Sequence, residues 1–342
     1  MKKLLLFICI CACTFSLKAQ IDLGSFLEGG IEDGNRLLEN YMEPAFVGLG
    51  QGLNSGWYNT GKPHKLLGFD LTVNVNLSFI PTEDEFFTFR ESDYDNVRLA
   101  DPSQDQLPTL FGPNLQADEI PELSFRDPDN PELELLKITA PTGLGLDEEF
   151  PVNAVPSPMV QLGIGLFKST ELKIRFVPEV SAGDEGEEFR ASMLGLGVMH
   201  DVKQWIPGMK LLPFDLSTFV GFNRLSLSFD VDDVMAGEPR READLSINGF
   251  TFQGIISKEI AVLTVYAGLG FLTSSTDFSL SGEYDVDFQD EPLVDPVDFS
   301  YSSSSPKLNV GARVKLLILT LHAEYALQTY DTFTVGLGFS VR

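Results

Sequence analysis

The sequence predicts an all-β protein: an antiparallel transmembrane β-barrel of about ten strands, roughly 8 to 14 at the limits of such a reading, with an N-terminal helical, plug-like segment. Three observations carry this. The last strand alternates without a fault, with Phe333, Val335, Leu337, Phe339 and Val341 on one face and Thr332, Thr334, Gly336, Gly338 and Ser340 on the other. Successive strand side chains point to opposite faces, and about ten residues with one apolar face suit a tilted strand crossing an outer membrane. The same pattern recurs along most of the chain. Beyond the first residues, no segment approaches the roughly twenty apolar residues of a spanning helix, so a membrane protein of this sequence must close into a barrel to pair its backbone in lipid. A secreted two-sheet sandwich explains alternation equally well. It does not explain strands this long or loops this asymmetric.

Taken in order, residues 1–19 read as a secretory signal peptide: basic Lys2 and Lys3, an apolar run from Leu4 to Phe15, and Leu17-Lys18-Ala19 before Gln20. The three cysteines, Cys9, Cys11 and Cys13, all fall inside it. The mature chain then has neither disulfide nor thiol chemistry. An alternative makes Cys13 the lipidated residue of a lipoprotein box. Residues 20–64 form the plug segment. Ser25-Phe26-Leu27-Glu28 reads as a capping box. Phe26, Leu27, Ile31, Leu37, Leu38, Tyr41 and Met42 follow roughly helical spacing, and Pro44 ends or restarts the helix. Residues 44–64, rich in Gly and Asn, do not read as strand.

The barrel occupies residues 65–342. Its first strand starts near Leu66, with Leu67, Phe69, Leu71, Val73, Val75, Leu77 and Phe79 on one face. Residues 81–157 then lose the alternation and carry 18 acidic against 4 basic residues, which predicts a long acidic external loop. Strands resume as 160–167, 172–180, 189–202, 212–229, 245–257, 263–280, 308–316, 319–328 and the last. Tight links alternate with long polar ones at 181–188, 230–244 and 281–306. That is how barrels arrange periplasmic turns and external loops, and it puts both chain termini on the periplasmic side.

Without Lys2, Lys3 and Lys18 the chain keeps 21 basic against 50 acidic residues, a balance that argues against nucleic acid. The three histidines, His64, His200 and His322, show no zinc-ligand spacing. There is no Gly-x-Ser-x-Gly elbow, and no Gly-x-Gly-x-x-Gly is completed. Asp127-Pro128-Asp129-Asn130 lacks the rest of a calcium loop. The sequence therefore offers no catalytic residue, metal ligand or cofactor site, and the expectation is a non-enzyme.

With apolar faces turned to lipid, Asp70, Asn74, Lys173, Arg175, Asp215, Arg313, Lys315, His322 and Glu324 face the lumen, as do Glu179 and Lys307. Ion pairing is one reading of these charges, and an anion contact on a transport path is the other. Gly163, Gly165, Gly195, Gly197, Gly268, Gly270, Gly336 and Gly338 also face inward, with Gly221 and Gly311. Glycine is expected where a wall bends or another backbone approaches. The sharper reading makes them the seat of the plug helix.

Three stretches carry a family resemblance: Tyr41-Met42-Glu43-Pro44-Ala45-Phe46, residues 56–70 from Gly56-Trp57-Tyr58-Asn59 to Gly68-Phe69-Asp70, and Val198-Met199-His200-Asp201-Val202-Lys203-Gln204-Trp205-Ile206-Pro207-Gly208. Together they resemble an uncharacterised family of Gram-negative outer-membrane proteins, which implies the fold and the location but no activity. A looser likeness is to the long-chain fatty-acid transporters, whose lumenal hatch often carries Asn-Pro-Ala where this chain has Glu43-Pro44-Ala45. It implies a plugged channel for small, hydrophobic compounds. The competing expectation is a non-transporting binding or assembly component acting through the acidic loop. The C-terminus resembles the signal read by barrel assembly machinery, with Phe339 three residues short of the end. Lipid is the one partner the sequence itself implies, and oligomeric state is not legible.

Overall fold

The computed structural model describes residues 27, 30–116, 118–127, 130, 132–146, 152–183, 189–230, 241–284 and 292–341. Signal peptide, Cys13 and capping box lie outside these residues, Leu27 excepted. Ten antiparallel strands close a barrel: β1 (Phe69–Phe79), β7 (Ala154–Leu166), β8 (Thr170–Ala182), β9 (Phe189–Asp201), β10 (Asp215–Asp230), β11 (Glu242–Ile260), β12 (Leu263–Ser281), β15 (Val297–Leu316), β16 (Leu319–Leu327) and β17 (Thr332–Val341). The terminal strands β1 and β17 pair, Val75 opposite Val335, and β1 also pairs β7. No sheet edge is left open to lipid. At one end three links are tight: Phe167-Lys168-Ser169, Ala261-Val262 and Leu317-Ile318. In the pair of two-residue links, Ala261 and Leu317 take the positive φ that a II′ hairpin turn requires at its first position. The other end bears the long connections.

The ends of several strands differ from the sequence reading. Strand β7 starts at Ala154 rather than Val160, through Pro156 and Pro158. At these prolines β7 has only β1 beside it, since β8 joins at Gln161, so no second ladder asks for their missing donors. Strand β15 includes the run Ser302–Ser305, read from sequence as loop. Leu66 to Gly68 form a turn before β1, with Leu67 at φ 61°. Glu179 is exposed rather than lumenal, because β8 bulges between Val177 and Val180 and the extra residue turns it outward.

The long strands exchange polarity partway along. In β11 the outward side chains near the turns are Ile256, Phe252 and Phe250, and the inward ones are Ser257, Gln253 and Thr251 with a single apolar Ile255. Further up, Asn248, Ser246 and Asp244 point out while Ile247, Leu245 and Ala243 are buried inside. Strands β9, β10, β12 and β15 make the same exchange. Below it lies a lipid-facing belt about 25 Å tall, bounded above by exposed Phe176, Phe222 and Phe271. Above it the barrel rises into water around an apolar core.

That core is completed by two other parts of the chain. Helix α1 (Ile31–Leu53) stands in the lumen against β1, β7, β11, β12 and β15. It runs through Pro44 instead of stopping there, because packing on all sides outweighs one lost hydrogen bond. The acidic segment after β1 folds into a cap rather than a solvated loop. Strand β2 (Phe86–Thr88) pairs β4 (Gln106–Pro108), and β3 (Val97–Leu99), β5 (Glu122–Arg126) and β6 (Glu134–Thr139) form a second sheet. Buried Phe89, Tyr94, Val97, Leu123 and Phe125 join Leu37, Leu38 and Phe46 of the helix and Leu245, Phe278 and Leu280 of the wall in one cluster. Two short strands, β13 (Glu283–Tyr284) and β14 (Leu293–Val294), pair at the same end.

The first turn of α1 is locked to this cap. The Asp33 carboxylate accepts the backbone N–H groups of Asp95 and Asn96 at 2.9 and 2.7 Å. The helix therefore begins at the long-connection end, while β17 finishes at the tight-turn end beside Phe69. The start of the mature chain lies outside the described residues; from Gly30 onward the N-terminal segment traverses the lumen before entering β1.

Candidate functional site: the plugged lumen

A buried helix C-terminus leaves four carbonyls to be satisfied. Here all four find partners. Gly50 accepts from Asn54 Nδ2 at 2.9 Å, and Gln51 from Ser55 Oγ at 2.9 Å. Gly52 accepts from the Ser55 N–H and from Asn76 Nδ2. Leu53 accepts from Arg175 Nη1 at 2.7 Å and Asn223 Nδ2 at 2.9 Å. Arg175 also donates to the Ser55 carbonyl at 2.7 Å, and Lys307 Nζ donates to the Asn54 carbonyl at 3.1 Å and Ser55 Oγ at 2.9 Å. Two wall cations thus meet the negative end of the helix dipole. Charge-assisted bonds of this kind are the stronger class.

Past the helix, the chain runs down the wall as an extended segment. Asn74 Nδ2 donates to the Gly56 carbonyl, Gln161 Nε2 to Trp57, and Ser217 Oγ to Gly61. Trp57 is 1% exposed and lies under the Arg175 guanidinium, 3.7 Å from the ring centroid. Tyr58 OH donates to Asn309 Oδ1 at 2.9 Å.

The inward glycines accommodate this segment rather than the helix. A Cβ at Gly195, Gly197 or Gly221 would lie 2.9–3.2 Å from the Trp57 ring, one at Gly268 2.0 Å from Tyr58 OH, and one at Gly165 2.1 Å from the Lys65 carbonyl. Gly163, Gly270, Gly311, Gly336 and Gly338 face wall groups such as Asp70, Gln253, Tyr266, His322 and Thr320, and do not seat the plug. The helix makes its own close approach. A Cβ at Gly48, Gly50 or Gly52 would fall 2.3–2.4 Å from Val155, Ser274 or Ser157.

The proposed lumenal charges are distributed along the barrel. Asp70, Asn74, Lys173, Arg175, Arg313, His322 and Glu324 are all buried inside. Lys315 is half-buried and donates to Ser340 Oγ at 3.0 Å, and Asp215 is half-buried at the tight-turn end. Near that end Lys173 Nζ lies 2.5 Å from Glu171 Oε1 and 3.9 Å from Asp70 Oδ1, and His64 Nε2 is 3.0 Å from Asp70. His64, Asp70 and Glu171 could present three ligand atoms to a metal, but the Lys173 ammonium already supplies the positive charge there. Arg313 donates to Asn59 Oδ1 at 3.0 Å. Glu324 shares its level with Tyr266, Asn309 and Lys307. Neither ring nitrogen of His322 has a hydrogen-bond partner among the described residues.

Sequence reasoning passed over Gln161, Asn223, Trp57 and Glu171. Three of them are legible as amides or an acid at inward positions of otherwise small-residue strands. Trp57 was marked only by its place in the family-like stretch from Gly56, which says nothing of its contacts.

The model of the family described as "Family of unknown function (DUF6588)" matches residues 1–341. No curated protein matches the chain by sequence. Among solved structures, the chain is similar to the translocator domain of autotransporter NalP from Neisseria meningitidis, at 8% identity over 91% of this chain and 98% of that one, with a TM-score of 0.32. It is similar to Ail, the attachment invasion locus protein of Yersinia pestis, at 9% identity over 81% and 99%, with a TM-score of 0.28. A BenF-like porin from Pseudomonas fluorescens Pf-5 matches at 10% identity over 80% and 98%, with a TM-score of 0.12. None of these is near enough to carry an argument about function. The closed ten-stranded barrel and its apolar belt place the protein in the outer membrane, and the chain belongs to the family of unknown function DUF6588.

Proposed function

We propose that the protein is a sealed outer-membrane barrel that anchors and presents a folded, acidic cap as a binding surface. The carrying observation is that polar residues at mid-lumen are shut off from water. Asn74, Arg175, Thr251, Lys307, Asn309 and Thr334, from five strands, are each 0–1% exposed. A pore keeps a wet, polar interior. The cap complements this reading: its apolar side is buried on helix and wall, while Glu91, Asp93, Asp101, Asp105, Glu119 and Glu122 are exposed. Such a surface attracts basic partners and does so less at high salt. The test is a binding titration of the purified barrel with a polylysine probe, before and after excision of residues 81–152. Salt-sensitive binding that disappears with the cap supports the reading, and equal binding by the capless barrel contradicts it.

A second reading, a gated channel, is favoured by one specific feature. Below Leu53 the plug is held by one small buried cluster, Trp57 and Tyr58 against Phe219 and Tyr266, and otherwise by hydrogen bonds, which water can replace. Under this reading the plug withdraws to admit a small, hydrophobic compound. Voltage- or ligand-induced conductance of the intact protein would favour it.

A further inference from the structure

The tight-turn end is unlike the rest of the surface. Leu67, Phe167, Leu211 and Leu317 are 74–94% exposed there, and Trp205 is 62% exposed. They occupy the turns themselves, immediately below the lipid-facing belt. The same end gathers lysines in an acidic protein. Lys62, Lys65, Lys168, Lys210 and Lys258 are exposed, against Glu259 as the one exposed acid at that end among the described residues. Glu259 is already paired to Lys62 at 3.2 Å. The cap end shows the opposite sign.

We propose that this rim binds the anionic phospholipid headgroups of one leaflet, its leucines and aromatics entering the acyl boundary while its lysines reach phosphate. Two observations select a lipid over a protein as the occupant. The apolar residues are continuous with the belt that lipid already covers, and they form a ring around the barrel rather than one patch. The lysine stems can lie along that apolar surface with their ammonium groups at phosphate level. The connection between β9 and β10 is built as a rigid part of the rim. Trp205 Nε1 donates to His200 Nε2 at 2.8 Å, Gln204 donates to the Lys168 carbonyl at 2.8 Å, and Lys203 is bound to the carbonyls of Leu212 and Phe214. Lys203 thus braces the loop, and Lys168 and Lys210 are left for phosphate. Since phospholipid forms the inner leaflet of an outer membrane, a lipid-bound rim also sets the acidic cap outside the cell.

The two tryptophans make the proposal measurable in the intact protein. Trp57 is enclosed in the lumen and reached by neither lipid nor solute, so quenchable emission reports Trp205. The protein is reconstituted in bilayers of phosphatidylcholine and phosphatidylglycerol, with bromine on the acyl chains of one lipid or of the other. Brominated phosphatidylglycerol should quench Trp205 more than brominated phosphatidylcholine at equal mole fraction. Salt should remove the difference. The K168Q/K210Q pair should reduce the preference by up to about fivefold per lysine. Trp205→Phe should abolish the quenched component and so verify its source. Quenching by aqueous iodide with none by either bromolipid would leave the rim in water, as a protein-docking face requires, and would overturn the proposal. Equal quenching by both bromolipids would overturn the headgroup recognition.

Discussion

At the scale of single residues, the lumen is organised by cations that serve backbone carbonyls. Arg175 donates to the carbonyls of Leu53 and Ser55 and to Gln161 Oε1, and covers Trp57. Removing its guanidinium takes the donor from the buried Ser55 carbonyl and one of two donors from that of Leu53. Arg175→Met should therefore destabilise the folded barrel by about 3 kcal/mol, read by urea unfolding in lipid vesicles. A change below about 0.5 kcal/mol would show that water replaces the arginine freely. On the cap, Tyr94 stacks on Phe89 with centroids 4.4 Å apart and receives a hydrogen bond from Asn40. Burial pushes its phenol from 10.0 up to about 12. A raised folded pKa means the contribution is complete below the unfolded value and lost as pH rises through the folded one. Protease resistance of the cap should decline between pH 10 and 12, and Tyr94→Phe should remove that step. The lumenal positions were legible because strand parity is strict. Glu179 was not, since a bulge leaves no mark in the local pattern.

At the scale of elements, each strand of the belt has a side it must show to lipid. Leu337 is 56% exposed on β17. Leu337→Arg should cost about 2–4 kcal/mol if it sits near the midplane, measured by reversible folding into bilayers. A wild-type value would refute the register of Val75 against Val335. The helix makes a complementary prediction. A side chain at Gly52 would strike Ser157 at 2.3–2.8 Å. Gly52→Val should lift α1 from the wall at a cost of about 1–3 kcal/mol and expose the helix to protease. Here the sequence was partly misleading. Glycines and Pro44 are poor helix formers, and only an enclosing barrel makes their smallness an advantage. The cap was read as loop for a related reason. Its strands are short, and their apolar partners lie on a helix and a wall far away in sequence. A signal for it did exist: the apolar residues of β9, β10, β11, β12 and β15 change faces partway along, which happens only where the outer solvent changes from lipid to water.

At the scale of the whole molecule, the fold was legible and the interior was not. Alternation pointed to about ten strands and to the membrane, because those depend on which face of each strand is apolar, and closure followed from the backbone's need for partners in lipid. The course of residues 31–68 depends on contacts between distant parts of the chain, Arg175 with Leu53 or Lys307 with Asn54, that no local pattern announces. Those contacts make the central claim: a barrel closed along its length by its own N-terminal segment. Planar-bilayer conductance tests it most directly, comparing the intact protein with a variant lacking residues 20–60, each verified as folded by heat-modifiable migration. The intact protein should pass no steady current, and the deletion should give lasting open steps. A steady ohmic current through the intact protein would contradict the account.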